Sequence, residues 1–226
     1  MHNARGVSIA IEQVVIVIIS IVILSLGVSL AFKIYSTSER QLAPVTGQLE
    51  QEIERALSSG SVVEMPVATK KISAKDMAEF GFGIKNDPAV TGAAPSNQPN
   101  NDFTVTISYG SALSPAGVDI CQIPQCISGM KNAMVLPPEF IWTEGNNNVG
   151  YYSYSFSIPE NKIKAFGLGI LPKNNPSYGG RGQYYYNLCV CNSQNCAKPC
   201  TAEKFAEDAN TGNNPYGFVT FSVIVG

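Results

Sequence analysis

Histidine is almost missing from this sequence: the single one, His2, lies in the short segment that precedes a long apolar run. The rest of the chain has no imidazole, which excludes Ser-His-Asp and Cys-His catalysis there, and with it zinc sites that depend on histidine. Clustered basic charge is missing as well. Lys and Arg are scattered, the formal net charge is −2 and the pI is about 5.5. Binding to a nucleic-acid backbone needs a gathered basic face, so nucleic acid is not expected as a partner. No Gly-rich phosphate loop follows a predicted strand, no acidic residues have the spacing of a calcium loop, and no C-x2-C pair occurs. The carboxylates Asp87, Asp102, Asp119, Glu139, Glu144 and Glu160 show no spacing that singles out an acid/base pair. Asn175-Pro176-Ser177 has its glycosylation signal blocked by the proline. Together these absences predict a protein that is not an enzyme and holds neither cofactor nor metal.

What the sequence does have is unevenly spread. Aliphatic residues gather in the first quarter, while the remainder is rich in Gly, Asn, Pro, Tyr and Ser. From Val7 to Phe32 only Glu12 and Gln13 interrupt the apolar run, and Val14–Phe32 holds no charge. At about 1.5 Å per residue such a helix spans roughly 39 Å, against about 30 Å for a hydrocarbon core. Apolar residues cover every face of it, so a membrane-inserted helix is expected over 7–32 in place of a soluble core helix. A cleaved secretory signal is the competing reading. The run is long for that purpose, and Lys33-Ile34-Tyr35-Ser36 lacks the small residues signal peptidase favours. Flanking charge does not set the orientation, with Arg5 before the run and Lys33 and Arg40 after it. Cysteine usage does. Cys121, Cys126, Cys189, Cys191, Cys196 and Cys200 all lie in the C-terminal part, as expected of a domain in an oxidising compartment outside the cytoplasm.

Ala4-Arg5-Gly6, followed by Val7-Ser8-Ile9-Ala10-Ile11-Glu12 and the long aliphatic run, resembles the class III signal of archaeal type IV pilin-like proteins. The resemblance covers about 30 residues. It implies cleavage between Gly6 and Val7 by a prepilin-peptidase-like enzyme, a retained helix, a β-sandwich head and assembly into an extracellular filament. Members often carry Glu at the fifth mature position, where it meets the N-terminal amine of a neighbouring subunit. Here Ile11 stands there and Glu12 one position later. Glu12 is therefore either a subunit-contact residue or a side chain that snorkels to the headgroups.

Beyond the run, Leu42, Val45, Leu49, Ile53 and Ala56 recur at spacings of three and four and form one narrow apolar stripe, which predicts a helix ended by Ser58-Ser59-Gly60. The stripe, with Leu42, Val45, Leu49 and Ile53 as contact residues, packs either on the head or on the same stripe of another subunit. From residue 61 onward the alternation of apolar and polar residues predicts strands at 61–72, 78–85, 103–110, 133–142, 151–158, 163–171, 183–191 and 217–225, with at most a helical turn near 201–208. Phe80-Gly81-Phe82-Gly83-Ile84 is echoed by Phe166-Gly167-Leu168-Gly169-Ile170, which suggests equivalent strands on opposite sheets. Cys189 and Cys191 are two apart in a strand, at the limit of bridging, and should pair elsewhere: with Cys196 and Cys200, or across to Cys121 and Cys126. Closure of Cys121 on Cys126 is the favoured local bridge, and the full connectivity stays open.

The expected fold class is α+β: a long N-terminal transmembrane and stalk helix, then an all-β, immunoglobulin-like antiparallel sandwich. The expected parts are a cytoplasmic leader (1–6), a transmembrane helix (7–32), a stalk (33–60) and an extracellular disulfide-containing domain (61–226). The expected function is structural: a filament subunit whose partners are copies of itself or other pilin-like subunits, the membrane through residues 7–32, and the processing enzyme. A monomeric membrane-anchored protein for adhesion or envelope contact is the alternative.

Overall fold

A computed structural model of the chain describes residues 15–25, 47–74, 76–91, 101–120, 125–144, 150–172, 180–192, 196, 198–211 and 215–226. It divides into two units, Met1–Gln41 and Leu42–Gly226. In the first, residues 15–25 form helix α1. The second is built from α2 (Gly47–Ser58), β1 (Val63–Glu64), β2 (Thr69–Ile72), β3 (Ala78–Lys85), α3 (Pro88–Thr91), β4 (Asp102–Leu113), α4 (Gln125–Ala133), β5 (Met134–Val135), β6 (Ile141–Glu144), β7 (Gly150–Ser157), β8 (Ile163–Ile170), β9 (Gly182–Cys191), α5 (Ala202–Thr211) and β10 (Pro215–Val225).

The strands form two sheets. One has the order β1-β3-β8-β5, the other β2-β10-β9-β4-β7-β6. All pairs are antiparallel except β2, which lies parallel to the end of β10 through Ser222–Val225. The main core takes one face of each long strand. Phe80, Phe82 and Ile84 of β3, Phe103, Val105 and Ile107 of β4, Tyr184, Tyr186, Leu188 and Val190 of β9, and Phe221, Val223 and Val225 of β10 are all buried. Rings interlock across it, with Phe82 stacked on Phe166 at 5.0 Å and Phe221 against Phe80 at 5.3 Å and Tyr186 at 5.2 Å. At the start of β8 the Lys164 ammonium lies 4.5 Å from the centre of the Phe156 ring, 5.3 Å from Tyr154 and 5.4 Å from Phe166, where three aromatic rings attract its charge.

This architecture corrects the expected fold class. Among the described residues the protein is a two-sheet β structure with short helices, and no described helix is long and apolar enough to cross a membrane. Residues 7–14 and 26–32 of the expected span lie outside the described residues. The expected span over 7–32, and the membrane as a partner, therefore find no support. Helix α2, in the segment expected as a stalk, lies on the four-stranded sheet of its own chain. Its Ile53 and Leu57 are fully buried, and they lie over Gly81 and Gly83 on the outer face of β3. A Cβ on Gly83 would stand 2.1 Å from Ile53 Cγ2 and 2.9 Å from Leu57 Cδ1, so only glycine lets the helix come this close.

Other boundaries moved for local reasons. The segment expected as one strand over 133–142 is broken at Pro137-Pro138, leaving β5 in one sheet and β6 in the other. The 61–72 segment likewise splits into β1 and β2, on different sheets. The two echoing segments are neighbours in a single sheet, with Gly81 opposite Gly167, and not equivalents on opposite sheets. The echo therefore makes a smooth outer surface on adjacent strands. Helix α4 was not expected.

The glycine face carries a stability prediction. Gly83→Val should lower unfolding free energy by about 1–3 kcal/mol by pushing α2 off the sheet. Gly47→Ala, at a helix position with nothing within 4 Å, should leave it unchanged or slightly raised. Urea denaturation followed by circular dichroism reads both; equal midpoints for Gly83→Val and the parent would contradict the docking.

Candidate functional site

Two features stand apart from the main core: the surface of α1, and a disulfide-bound cap on the outer face of the six-stranded sheet. In α1 the aliphatic side chains of Val15, Ile16, Val17, Ile18, Ile19, Ile21, Val22, Ile23 and Leu24 are 47–69% exposed. The polar side chains turn inward to the helix itself. Ser20 Oγ donates to the Ile16 carbonyl at 2.8 Å and Ser25 Oγ to the Val22 carbonyl at 2.9 Å. What α1 offers its surroundings is thus an unbroken apolar cylinder, suited to contact with other apolar surface and to no chemistry.

The cap arises from strand alternation. The faces of β4 and β9 that point away from the main core carry Thr104, Thr106 and Ser108 opposite Cys191, Cys189 and Asn187. Cys189 bridges to Cys200 with Cα atoms 5.7 Å apart, and Cys191 to Cys196 at 5.4 Å. Of the two pairings left open for Cys189 and Cys191, the structure has the one with Cys196 and Cys200. Thr201 begins α5, its Oγ1 accepting from the Lys204 N–H at 3.2 Å. Helix α5 then sets Phe205 against Phe218 of β10, ring centres 5.7 Å apart, closing a second small core around the four sulfurs. Below it, the Cys200 carbonyl accepts from Ser108 Oγ at 2.5 Å and Asn187 Nδ2 at 3.3 Å. Thr106 Oγ1 is buried there without a hydrogen-bond partner.

Several other titratable groups make local contacts within the fold. Tyr216 Oη donates to the Lys85 carbonyl and accepts from the Asp87 N–H at 2.9 Å, tying β10 to the end of β3. Burial pushes the Tyr109 hydroxyl well above its ordinary value, with Asp119 and Tyr184 adding to the effect. The Lys131 ammonium and then the Trp142 N–H hold Glu144 below the ordinary carboxylate range. Asp102 accepts from Ser157 Oγ at 2.6 Å. Among the described residues no three His, Cys, Asp or Glu side chains are placed to hold a metal ion.

Of the residues singled out from sequence, Gly6, Val7, Glu12, Leu42, Val45 and Cys121 lie outside the described residues, as does the side chain of Cys126. Leu49 and Ile53 lie over Gly81 and Gly83 of their own chain. Thr104, Thr106, Ser108, Phe205 and Phe218 were missed as parts of one site. Polar residues alternating with a hydrophobic set read as solvent-facing, and only the four nearby cysteines hinted that something covers them.

No family model and no curated sequence matches the chain. Solved structures match at low similarity. A family 123 glycoside hydrolase from Clostridium perfringens is 13% identical over 70% of this chain and 22% of that one, with a TM-score of 0.35. AggA, the major subunit of aggregative adherence fimbriae type I from Escherichia coli, is 9% identical over 73% of this chain and 93% of that one, at 0.31. The C-terminal domain of the AgI/II polypeptide BspA from Streptococcus agalactiae is 10% identical over 70% and 46%, at 0.32. The chain thus spans under a quarter of the hydrolase and under half of the streptococcal domain. Likenesses of this degree carry no argument about function.

Asp87 generates a pH prediction. The Ala89 N–H donates to Asp87 Oδ1 at 3.0 Å and Lys85 Nζ lies 3.2 Å from Oδ2; these lower its pKa from the ordinary 3.8, the backbone bond having the larger effect. A carboxyl lowered on folding contributes stability above its unfolded value and loses that contribution as pH falls through its folded one. The urea midpoint of Asp87→Ala should therefore lie below the parent's at pH 7, with the gap narrowing as pH falls below 3.8. A gap constant with pH would contradict this role.

Proposed function

We propose that this chain is a non-catalytic structural subunit of a surface assembly, pilin-like in design, in which α1 packs against α1 of other copies. The observation that supports it is the apolar cylinder of α1, with its nine exposed aliphatic side chains and its two serines bonded to their own backbone. A helix apolar on one side is satisfied by docking on one surface. A helix apolar on every side needs neighbours all round, and a bundle of like helices supplies them. Fully burying each such aliphatic side chain is worth about 1.5–3 kcal/mol. The two closed disulfides fit a compartment outside the reducing cytoplasm, so we read the β module as the extracellular part. Processing between Gly6 and Val7, and Glu12 as a subunit contact, belong to the same reading.

Assembly is the test. The oxidised full-length chain should sediment as filaments visible by negative-stain electron microscopy, while Ile18→Lys should reduce the sedimenting fraction about tenfold or more, since a buried ammonium is costly. Ile18→Leu should assemble like the parent. A parent chain that stays monomeric would sink the proposal in favour of a solitary adhesion protein. Mass spectrometry of native material should show a chain starting at Val7; a start at Met1 would count against the pilin-like part.

A further inference from the structure

Strand β8 is paired along its whole length on one side only. Its residues from Ile163 to Ile170 each face a partner in β3, from Lys85 to Ala78. On the other side β5 reaches just Gly169 and Ile170. The hydrogen-bond pattern fixes which backbone groups are left over. The Lys85 N–H donates to the Val62 carbonyl at 2.9 Å, so Ile84 and Phe82 turn their backbone groups the other way, to Lys164 and Phe166. In step with this, the Leu171 N–H donates to the Ala133 carbonyl at 2.8 Å. The N–H and C=O groups of Ile163, Ala165 and Gly167 therefore point away from β3, beyond the reach of β5, and meet no strand among the described residues. Ile163 is exposed, and Ala165 and Gly167 are partly so.

The facing strand of the other sheet is open on the same side. The Ile158 N–H donates to the Asn101 carbonyl at 2.8 Å, which turns the backbone groups of Ser155 and Ser157 away from β4. Strand β6 covers β7 only as far as Ser153, and both serines are exposed. Phe156 of β7 meets Phe166 of β8 at 4.9 Å, and Tyr154 meets it at 6.1 Å. The two free stretches thus border a seam floored by aromatic rings. Lys164 reaches across this seam to the Phe156 ring. Among the described residues neither Lys164 nor Lys162 forms an ion pair.

We propose that the free edge of β8 is a docking site for an extended, acidic segment of a partner protein, which adds as an antiparallel strand beside Ile163–Leu168 and sets a carboxylate against Lys164. Main-chain bonds to Ala165 and Gly167 supply the grip, as in strand addition at other exposed sheet edges. The side chains of these two residues are small and lie on the outer face, so an incoming backbone meets no obstacle. In the added strand, the residues opposite Phe166 and Lys164 are two apart and point into the seam. The first rests on the rings and is apolar; the second meets an ammonium without a counter-charge and is acidic. A second copy is the poorer occupant, because pairing like edges brings Lys162 and Lys164 of both copies to one interface. The inference concerns the β module alone and does not depend on the assembly reading.

The experiment uses the oxidised full-length chain and two fluorescein-labelled peptides, Val-Thr-Val-Thr-Glu-Thr and the same sequence with Lys in place of Glu. Fluorescence polarisation should show the Glu peptide binding saturably, and about tenfold or more tighter than the Lys peptide. Lys164→Gln should bind the two alike. Ala165→Pro removes an outward N–H that β3 does not use, and should weaken the Glu peptide about tenfold or more. In hydrogen exchange read by mass spectrometry, saturating Glu peptide should slow the segment 163–168 and leave the lysine-bearing edge strand β2 unchanged. If the proline variant does not fold, the charge swap and the exchange still decide. Absence of saturable binding, equal binding of both peptides to the parent, or an edge already protected without peptide, as a second copy would leave it, would overturn the proposal.

Discussion

The last four residues of β9, Leu188 to Cys191, are buried on both sides of the sheet, and the surrounding elements are arranged to satisfy them. One set of the strand's side chains, Tyr184, Tyr186, Leu188 and Val190, enters the main core; the other ends in Cys189 and Cys191, under the cap. A strand can expose one face to water at little cost, but a second buried face needs its own cover. Here β10 and β4 flank it over nearly its whole length, and the disulfides recruit α5 as the cover. The polar residues caught beneath are mostly answered. Ser108 and Asn187 donate to the Cys200 carbonyl, and Thr104 pairs with Ser155 at 2.9 Å. The Thr106 hydroxyl, among the described residues under the cap, goes without.

The other sheet solves the same problem with small side chains instead of cross-links. Its outer face at β3 is bare at Gly81 and Gly83, and α2 lies directly on the backbone through Leu49, Ile53 and Leu57. Apolar surface that would otherwise face water is thereby spent inside the chain. Helix α1 is different: its aliphatic side chains stay exposed. That contrast, between a module whose two outer faces are roofed and a helix left bare, underlies the assembly we propose.

Much of the β module was legible in the sequence, because period-two alternation is a local signal. Phe103, Val105 and Ile107 against Thr104, Thr106 and Ser108 placed β4, and β7, β8, β9 and β10 were placed within about two residues. Strand geometry argued only that Cys189 and Cys191 do not bridge each other, and left their partners open. What could not be read was long-range. Alternation says which residues share a face and not what lies on it, so the cap over the threonines and the helix over the glycines were invisible. The same limit misplaced the echoing Phe-Gly segments, whose likeness reflects pairing with each other. For the apolar run, hydropathy alone gave a membrane span, and no described helix is long and apolar enough for one. Among the site residues, Ile53 was recognised as a contact but its partner was not, because Gly81 and Gly83 signal a bare strand and not the helix lying on it.

Amide hydrogen exchange on the oxidised full chain measures the two-sided burial of β9 directly. The amides of Leu188, Cys189 and Val190 should be among the slowest in the protein, opening only with global unfolding, while those of the short edge strands β5 and β6 exchange faster. Exchange at Leu188–Val190 as fast as in β5 and β6 would contradict a module built around this strand.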